Sequence, residues 1–547
     1  MTRLVPGLFL REVSVRAFAA LTLALALAGP VAAGDLDVST AVTPVPELSG
    51  LDLGGEQLDL SLETAVEIAL QRNLGLVLQR YDFAESLHRE LSERGIYDLG
   101  FQVDTSVSSS ASPATSTLAG ARVVQTDGAD FNFGFRQLTP FGGEASLQWA
   151  NSRSESNSSF ANPSPSFTSG FNLGFTQPLL RGFGRKATER GILLAKKSIG
   201  QSRETFELQV IDTLRQVDGA YWNLVSARKQ LEVSQQSLDL AKELHERNRI
   251  RVEVGTLAPF ELVQSEAGIA QREGDIIRNQ AAVGDAEDAL RRLLNLDQGP
   301  AWSLSIVPVS DPGVEEMEID LGAALATALQ KRPEIRQQQL ELDRLEIDAH
   351  FFANQKRPRL DLQVGYGASA VDGRFFAEDP DTGLPDRNDI LQDGDILDAF
   401  TEALKLDADG WSVGLIFAIP LQNRSARAQS LIADLALERG NLSLTDLQQQ
   451  IATEVRSSVR QVEAAAREVD AARASKRAQE KSLEAERKRF ENGMSTSFQV
   501  LQIQENLAEA QSTEVQAVTN FRSRLVDYYL SIGSLLEERG IRLTSLD

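Results

Sequence analysis

The sequence predicts an α+β chain of two tandem repeats, in which strands suited to a membrane β-barrel alternate with helical hairpins far too long for a globular domain. Three observations lead there. The order helix, strands, long helical hairpin occurs twice. Each hairpin contains a proline-free stretch of more than sixty residues with heptad spacing. The strand regions alternate apolar with small or polar residues one by one.

At the N-terminus, Arg3, Arg11 and Arg16 precede an apolar stretch from Ala17 to Leu27, followed by Gly29, Pro30 and Val31-Ala32-Ala33. This pattern predicts a signal peptide over 1–33, cleaved after Ala33, because the apolar stretch is too short to span a bilayer. The segment 34–60 is expected to be an extended lead-in. Beyond Ala33 there is no run of about 18 apolar residues, so a membrane role falls to a β-barrel.

Composition narrows the function. The 547 residues carry 55 Lys and Arg against 78 Asp and Glu, a formal charge of −23, which argues against nucleic acid as a partner. Removing 1–33 takes away three Arg and one Glu and leaves the remainder more acidic still. The absence of cysteine excludes disulfides, thiolate metal sites, cysteine nucleophiles and a lipidated N-terminal cysteine. The three histidines, His88, His245 and His350, match no metal-binding spacing.

The repeats are predicted at 61–297 and 319–536, with a linker at 298–318 and a tail at 537–547. Leu62 to Leu74 and Leu321 to Pro333 open them at an offset of 259, and Pro178 and Pro420 close their strand regions at an offset of 242. Val217, Leu224 and Leu231 then match Val455, Val462 and Val469 at a constant 238, as do Gly255 with Gly493 and Phe260 with Phe498. The drift places about four extra residues of the first repeat near Leu180 to Gly184.

Within the first repeat, strands are expected at about 98–178 and a helical hairpin at about 187–296; in the second, at about 360–420 and 425–536. Val210, Leu214, Val217, Tyr221, Leu224, Leu231 and Leu238 make a heptad seam, and Val455, Val462, Val469 and Leu483 make its counterpart. A helix of that extent is roughly 100 Å long at 1.5 Å per residue. Breaks at Gly255 and Gly493 and shorter helices from Phe260 and Phe498 complete two antiparallel hairpins. The helices near Leu76 to Arg94 and Glu334 to Ala353 are placed to extend those shorter partners end to end.

In the strand regions, Phe131, Phe133 and Phe135 alternate with Asn132, Gly134 and Arg136, as do Leu147 and Trp149 with Ser146 and Gln148. Phe171 to Phe175, Leu360 to Tyr366 and Val413 to Ile419 repeat this. The pattern suits a barrel with lipid outside and water inside. A soluble sandwich has similar alternation, but the signal peptide and long helices favour the barrel. Four strands are counted in the first repeat and two in the second. The polar stretches Ser108 to Gly128, Asn151 to Ser166 and Asp372 to Asp409 are expected as surface loops, and Thr139 to Gly143 as a short turn.

No catalytic, cofactor or metal site is predicted. Arg181-Gly182-Phe183-Gly184-Arg185-Lys186 lacks phosphate-loop spacing and reads better as a tight strand-to-helix turn. The acidic run Glu378 to Asp395 departs from calcium-loop spacing and reads as a solvated loop. There is no serine elbow or zinc-protease motif. The sequence argues against an enzyme.

From about Leu60 to Leu536 the chain resembles the TolC-like family of outer-membrane efflux and export channels. The duplicated order carries the likeness, together with Phe175-Thr176-Gln177-Pro178-Leu179-Leu180 and the two glycine breaks. The resemblance implies a homotrimer in the outer membrane of a Gram-negative-type bacterium, its strands forming one barrel and twelve helical columns forming a long periplasmic tunnel. It implies a passive conduit of a tripartite efflux or type I secretion system, with a periplasmic adaptor, an inner-membrane transporter and outer-membrane lipid as partners. The tips at Gly255, Thr256 and Leu257 and at Gly493, Met494 and Ser495 would meet the adaptor. Glu261, Gln264, Gln499 and Gln502 would line the aperture, with glutamines where the family pattern has acids after the second tip. A second departure is the strand count, since the family pattern supplies four strands per chain. The alternative is a secreted coiled-coil structural or adhesion protein with a soluble β domain.

Overall fold

The computed structural model describes residues 57–116, 119–296, 300–311, 313–314 and 318–541. The segment expected to be a signal peptide, 1–33, most of the expected lead-in at 34–60, parts of the linker and the end of the tail lie outside the described residues. The elements in chain order are β1 (Gln57–Leu60), α1 (Leu62–Arg72), α2 (Leu74–Arg94), β2 (Gly100–Pro113), β3 (Val123–Leu138), β4 (Glu144–Ser156), β5 (Ser166–Pro178), α3 (Arg190–Glu253) and α4 (Phe260–Leu294). There follow β6 (Ser305–Pro308), α5 (Leu321–Lys331), α6 (Pro333–Gln355), β7 (Arg359–Glu378), β8 (Pro385–Asp393), α7 (Ile396–Ala403), β9 (Asp409–Ala418), α8 (Arg424–Glu491) and α9 (Ser497–Ser531).

The two long helices, α3 with 64 residues and α8 with 68, run unbroken because neither contains proline. Their heptad seams are buried: Val210, Leu214, Val217, Tyr221 and Leu224 on α3, Val455, Val462 and Val469 on α8. The second seam joins Ala324 and Ile335 of α5 and α6 and Phe521 and Tyr528 of α9 in one apolar cluster.

Each long helix is covered by two shorter ones meeting end to end. Along α3, the end of α4 abuts the start of α2: Asn73 Nδ2 donates to the Leu293 carbonyl at 2.9 Å, and Asn295 Nδ2 donates to the Arg72 carbonyl at 3.2 Å. Asn73 is able to join two helices because its own Oδ1 caps α2, accepting from Gly75 N at 2.9 Å. Asn295 sits left-handed at φ 48°, which ends α4. In the second half α6 and α9 meet beside α8, where the buried Arg332 donates to the Ser531 carbonyl at 3.4 Å.

All six long strands form one antiparallel sheet in the order β2-β3-β4-β5-β7-β9, with β8 paired to the far end of β7. The Phe131 to Trp149 hairpin therefore lies inside this sheet. Directly opposed residues share a face, so Phe101, Phe135, Leu147, Leu173, Tyr366 and Trp411 form one row of an apolar face. Gln102, Gly134, Gln148, Asn172, Gly367 and Gly410 form a row on the polar face.

Several expectations need correction. The stretches read as loops are partly strand: β2 runs to Pro113, β3 starts at Val123, β4 runs to Ser156, and Asp372 to Asp409 holds the end of β7, all of β8 and α7. Regular apolar alternation does not reach these strand ends, which are rich in Ser and Asp or, at the end of β7, irregular around Phe375 and Phe376, and ladder pairing holds them in the sheet. The linker contains a helical turn, Pro300–Ser303, and β6, which pairs in parallel with β1. The turn Leu535–Glu538 crosses from the second repeat into the tail and is followed by Arg539, which is ion-paired to Asp218.

Candidate channel and docking site

Three regions carry the residues expected to act: two hairpin tips, the helix starts just behind them, and the sheet with its unpaired edges. The tips are built alike. Gly255 and Gly493 sit at φ +76° and +74°, a left-handed conformation that only glycine adopts without strain, and nothing would obstruct a side chain at either position. Around the first, Gly255 N donates to the Val252 carbonyl and Thr256 N to the Arg251 carbonyl; around the second, Gly493 N donates to Phe490 and Met494 N to Arg489. This is one helix-ending motif used twice at the same register.

The two tips are tied together. Arg251 donates from Nη1 to the Phe490 carbonyl at 3.2 Å and from Nη2 to the Glu491 carbonyl at 3.1 Å, with its guanidinium 4.8 Å from the Phe490 ring centre. It thus neutralises the carbonyl end of α8 while packing on its last aromatic. Behind it Leu244, Leu483, Phe490, Val500 and Leu507 form a small core. Arg251 escaped the sequence reading because an arginine at a helix end is ordinary; its faint signal is a cation placed opposite an aromatic in the matched tip.

Of the residues named for the tips, Gly255, Thr256, Gly493 and Met494 are exposed, while Leu257 and Ser495 are half-buried. Val254, Phe260, Val263 and Phe498 add exposed apolar surface around them. Glu261 and Gln264 on the first turns of α4 are half-buried, and Gln499 and Gln502 of α9 are exposed. Glu261 Oε2 is buried with no hydrogen-bond partner among the described residues. Thr496 caps α9, its hydroxyl accepting from Gln499 N at 3.4 Å. Ser495 Oγ donates to Gln499 Oε1 at 2.8 Å, which turns that side chain back toward the tip.

Further along α4, Arg272 is buried between the helices, donating from Nε to Ser237 Oγ at 3.0 Å and from Nη1 to the Gly268 carbonyl at 3.2 Å. Burial pulls its pKa below the usual arginine range. His245 shares a hydrogen bond with Ser265 at 2.8 Å, and His350 lies 3.5 Å from Glu346 on its own helix. Among the described residues no three of His, Asp and Glu converge as a metal site.

The acidic run is occupied with local structure. Asp393 pairs with Arg374 at 2.8 Å, and Asp395 caps α7 in a capping box with Asp398. Gly182 and Gly184 sit at φ +80° and +94°, so the glycine–arginine segment is a tight turn from β5 into the helices. α7 lies across the apolar face of the sheet, its Phe400 ring 4.4 Å from that of Trp149. Trp149 Nε1 donates to the buried Ser169 at 2.9 Å. No helix among the described residues is long and apolar enough to cross a membrane.

Both sides of the chain are unfinished, and in matching fashion. The sheet ends at β2 on one side and β9 on the other, and every large apolar residue of β9 is exposed: Trp411, Val413, Leu415, Ile416 and Phe417. In the helical layer beside it, α3 packs on α2 and α6, and α6 on α8, leaving α2 and α8 as the outer members. There α2 exposes Leu78, Tyr81, Leu87 and Leu91, and α8 exposes Leu431, Ile432, Leu435 and Leu442. Apolar surface of this extent marks an interface.

The family model described as outer membrane efflux protein matches residues 141–296 and 324–534. Among solved structures, the fold is similar to the CmeC outer membrane channel of Campylobacter jejuni, with a TM-score of 0.60 and 16% identity, covering 87% of this chain and 86% of that one. It is similar to the outer membrane protein VceC of Vibrio cholerae, with a TM-score of 0.60 and 16% identity over 86% of this chain and 96% of that one. The open state of the MtrE outer membrane channel of Neisseria gonorrhoeae gives 0.57 and 15%, over 87% and 89%. No curated protein matches the sequence.

Proposed function

The chain belongs to the outer membrane efflux protein family, and from that premise we propose that it is the passive outer-membrane conduit of a tripartite efflux or type I secretion system. Its fold class is that of a trimeric outer-membrane β-barrel continued by a long periplasmic helical barrel, and it is a channel protein rather than an enzyme. The reading as a secreted structural coiled coil gives way to this membership.

One observation carries the proposal. The unfinished edges of the sheet and of the helical layer lie at the same two ends of the chain order, β2 with α2 and β9 with α8. A head-to-tail contact that rotates through a third of a turn satisfies both layers at once and closes into a ring. The result is a barrel whose apolar face, apart from the part that α7 covers, meets lipid and whose polar face meets water, standing on a tube of helices.

The tips at Gly255, Thr256, Leu257, Gly493, Met494 and Ser495, ringed by the exposed Val254, Phe260 and Phe498, form the surface for a periplasmic adaptor. Glu261, Gln264, Gln499 and Gln502, on the turns behind the tips, line the aperture. The energy for transport comes from an inner-membrane transporter. The test is conductance of the purified protein in planar bilayers together with its mass in detergent: discrete channels from a particle of three chains support the conduit, and a silent water-soluble monomer refutes it.

A further inference from the structure

The sheet holds six long strands where the resemblance implied four, and its geometry specifies how chains join. Six is even and every neighbour is antiparallel, so edge β9 runs opposite to edge β2 and the two can pair between chains. The additional hairpin is an integral part of the sheet. β3 pairs with β4 from Thr126 opposite Ser156 down to Leu138 opposite Glu144, and Phe133 stacks on Trp149 with ring centres 6.2 Å apart.

The register follows from the slope of the cross-strand rows. Take as the lower end of each strand the end nearer the long helices. One row starts at Phe101, one residue above the lower end of β2 at Gly100. It passes Phe135, Leu147, Leu173 and Tyr366 and leaves at Trp411, seven residues above the lower end of β9 at Ala418. The row thus climbs six residues in crossing one chain. For the apolar belts to meet level, it must enter the next chain six residues above Phe101, at Val107.

We propose that three chains close a single eighteen-stranded barrel through a β9–β2 junction, with Trp411 opposite Val107, Val413 opposite Thr105, Leu415 opposite Val103 and Phe417 opposite Phe101. This rests on the trimeric reading above. The same register sets polar Asp104 and Ser106 opposite Gly414 and Ser412 on the water-facing side. A stagger of about 18 residues over 18 strands, with a rise of about 3.3 Å and a strand spacing of about 4.8 Å, tilts the strands by roughly 35°. That lies at the lower edge of the range for membrane barrels. Since diameter grows about linearly with strand number, the lumen is about one and a half times as wide as that of a twelve-stranded barrel. The barrel is then no constriction, and the narrowest point belongs to the helical tube.

The chain has no cysteine, so introduced thiols are the only ones present. The test is oxidation of Thr105→Cys/Val413→Cys in outer membranes, followed by non-reducing electrophoresis and mass in detergent. The expected result is a three-chain particle converted to covalent trimer, with no cross-link in Leu147→Cys/Val413→Cys. A three-chain particle that cross-links through Leu147→Cys instead would place β9 against β4, exclude the hairpin and overturn the proposal. A three-chain particle in which neither Thr105→Cys nor its neighbours Val103→Cys and Val107→Cys link to Val413→Cys also overturns it. A particle of some other mass refutes the trimeric reading itself, and the barrel with it.

Discussion

Asp218, buried midway along α3, is ion-paired with Arg539, which follows α9 and lies 321 residues further along the chain. The pair pins the last described turn onto the middle of the helical layer. Arg539 satisfies one carboxylate oxygen; Oδ2 is buried with no hydrogen-bond partner among the described residues. Burial therefore outweighs the attraction of Arg539, and the pKa of Asp218 is pushed up from 3.8 to about 6.

The sign of the pH dependence follows. Between those two values the folded chain holds a proton that the unfolded chain has released, so this stabilisation is complete below 3.8 and is lost as pH rises through about 6. The whole effect is at most about 3 kcal/mol, at 1.36 kcal/mol per pKa unit. Asp218→Asn removes the buried charge. Melting curves in detergent from pH 5 to 7.5 should show the variant gaining stability over wild type as pH rises; a constant difference would remove Asp218 from the account.

Arg251 is expected to govern local order at the tips more than global stability. Arg251→Ala loses two hydrogen bonds to helix-end carbonyls and the contact with Phe490, together about 1–2 kcal/mol. Amide exchange at Gly493 to Thr496 should accelerate roughly tenfold, at 1.4 kcal/mol per factor of ten, while the melting temperature moves little. Exchange unchanged at the second tip would show that the tips are independent.

How much of this was legible in sequence depends on range. The heptad seams, the glycine breaks and the alternation of Phe131, Phe133 and Phe135 are local periodicities, and they locate the long helices and the apolar face. The repeat added the equivalence of Gly255 and Gly493. What escaped were contacts between distant residues of unremarkable type: Asn73 with Leu293, Arg251 with Phe490, Asp218 with Arg539. The outer halves of β2, β3 and β7 were also missed, since Ser108 to Ser112 and the stretch Asp372 to Glu378 have loop composition. Ser108 to Ser112 is exposed throughout, and at the end of β7 the adjacent Phe375 and Phe376 fall at a register shift, so neither stretch shows regular apolar alternation.

The glycine equivalence is itself testable. Gly255→Ala and Gly493→Ala each force an alanine to a left-handed φ with no steric clash, so each should cost about 1–2 kcal/mol and the two costs should agree. Chemical denaturation monitored at the tips measures both. A large disparity would mean that one tip is held by contacts the other lacks.

Glu261 offers the sharpest test of the aperture. It lies one residue into α4, half-buried, with one carboxylate oxygen unpartnered among the described residues, while the matched position on α9 is Gln499. If three chains bring three copies of Glu261 round one axis, their summed field attracts cations into a narrow, poorly screened passage. Glu261→Gln should then lower the cation-to-anion permeability ratio, by at least about twofold at low salt and less at high salt, read as a shift of the reversal potential in a salt gradient. Gln499→Glu should raise it, since it completes the acidic set that α9 lacks. Selectivity indifferent to both substitutions would place the α4 and α9 starts away from the conducting path, and the constriction would have to be sought among other turns of the helical tube.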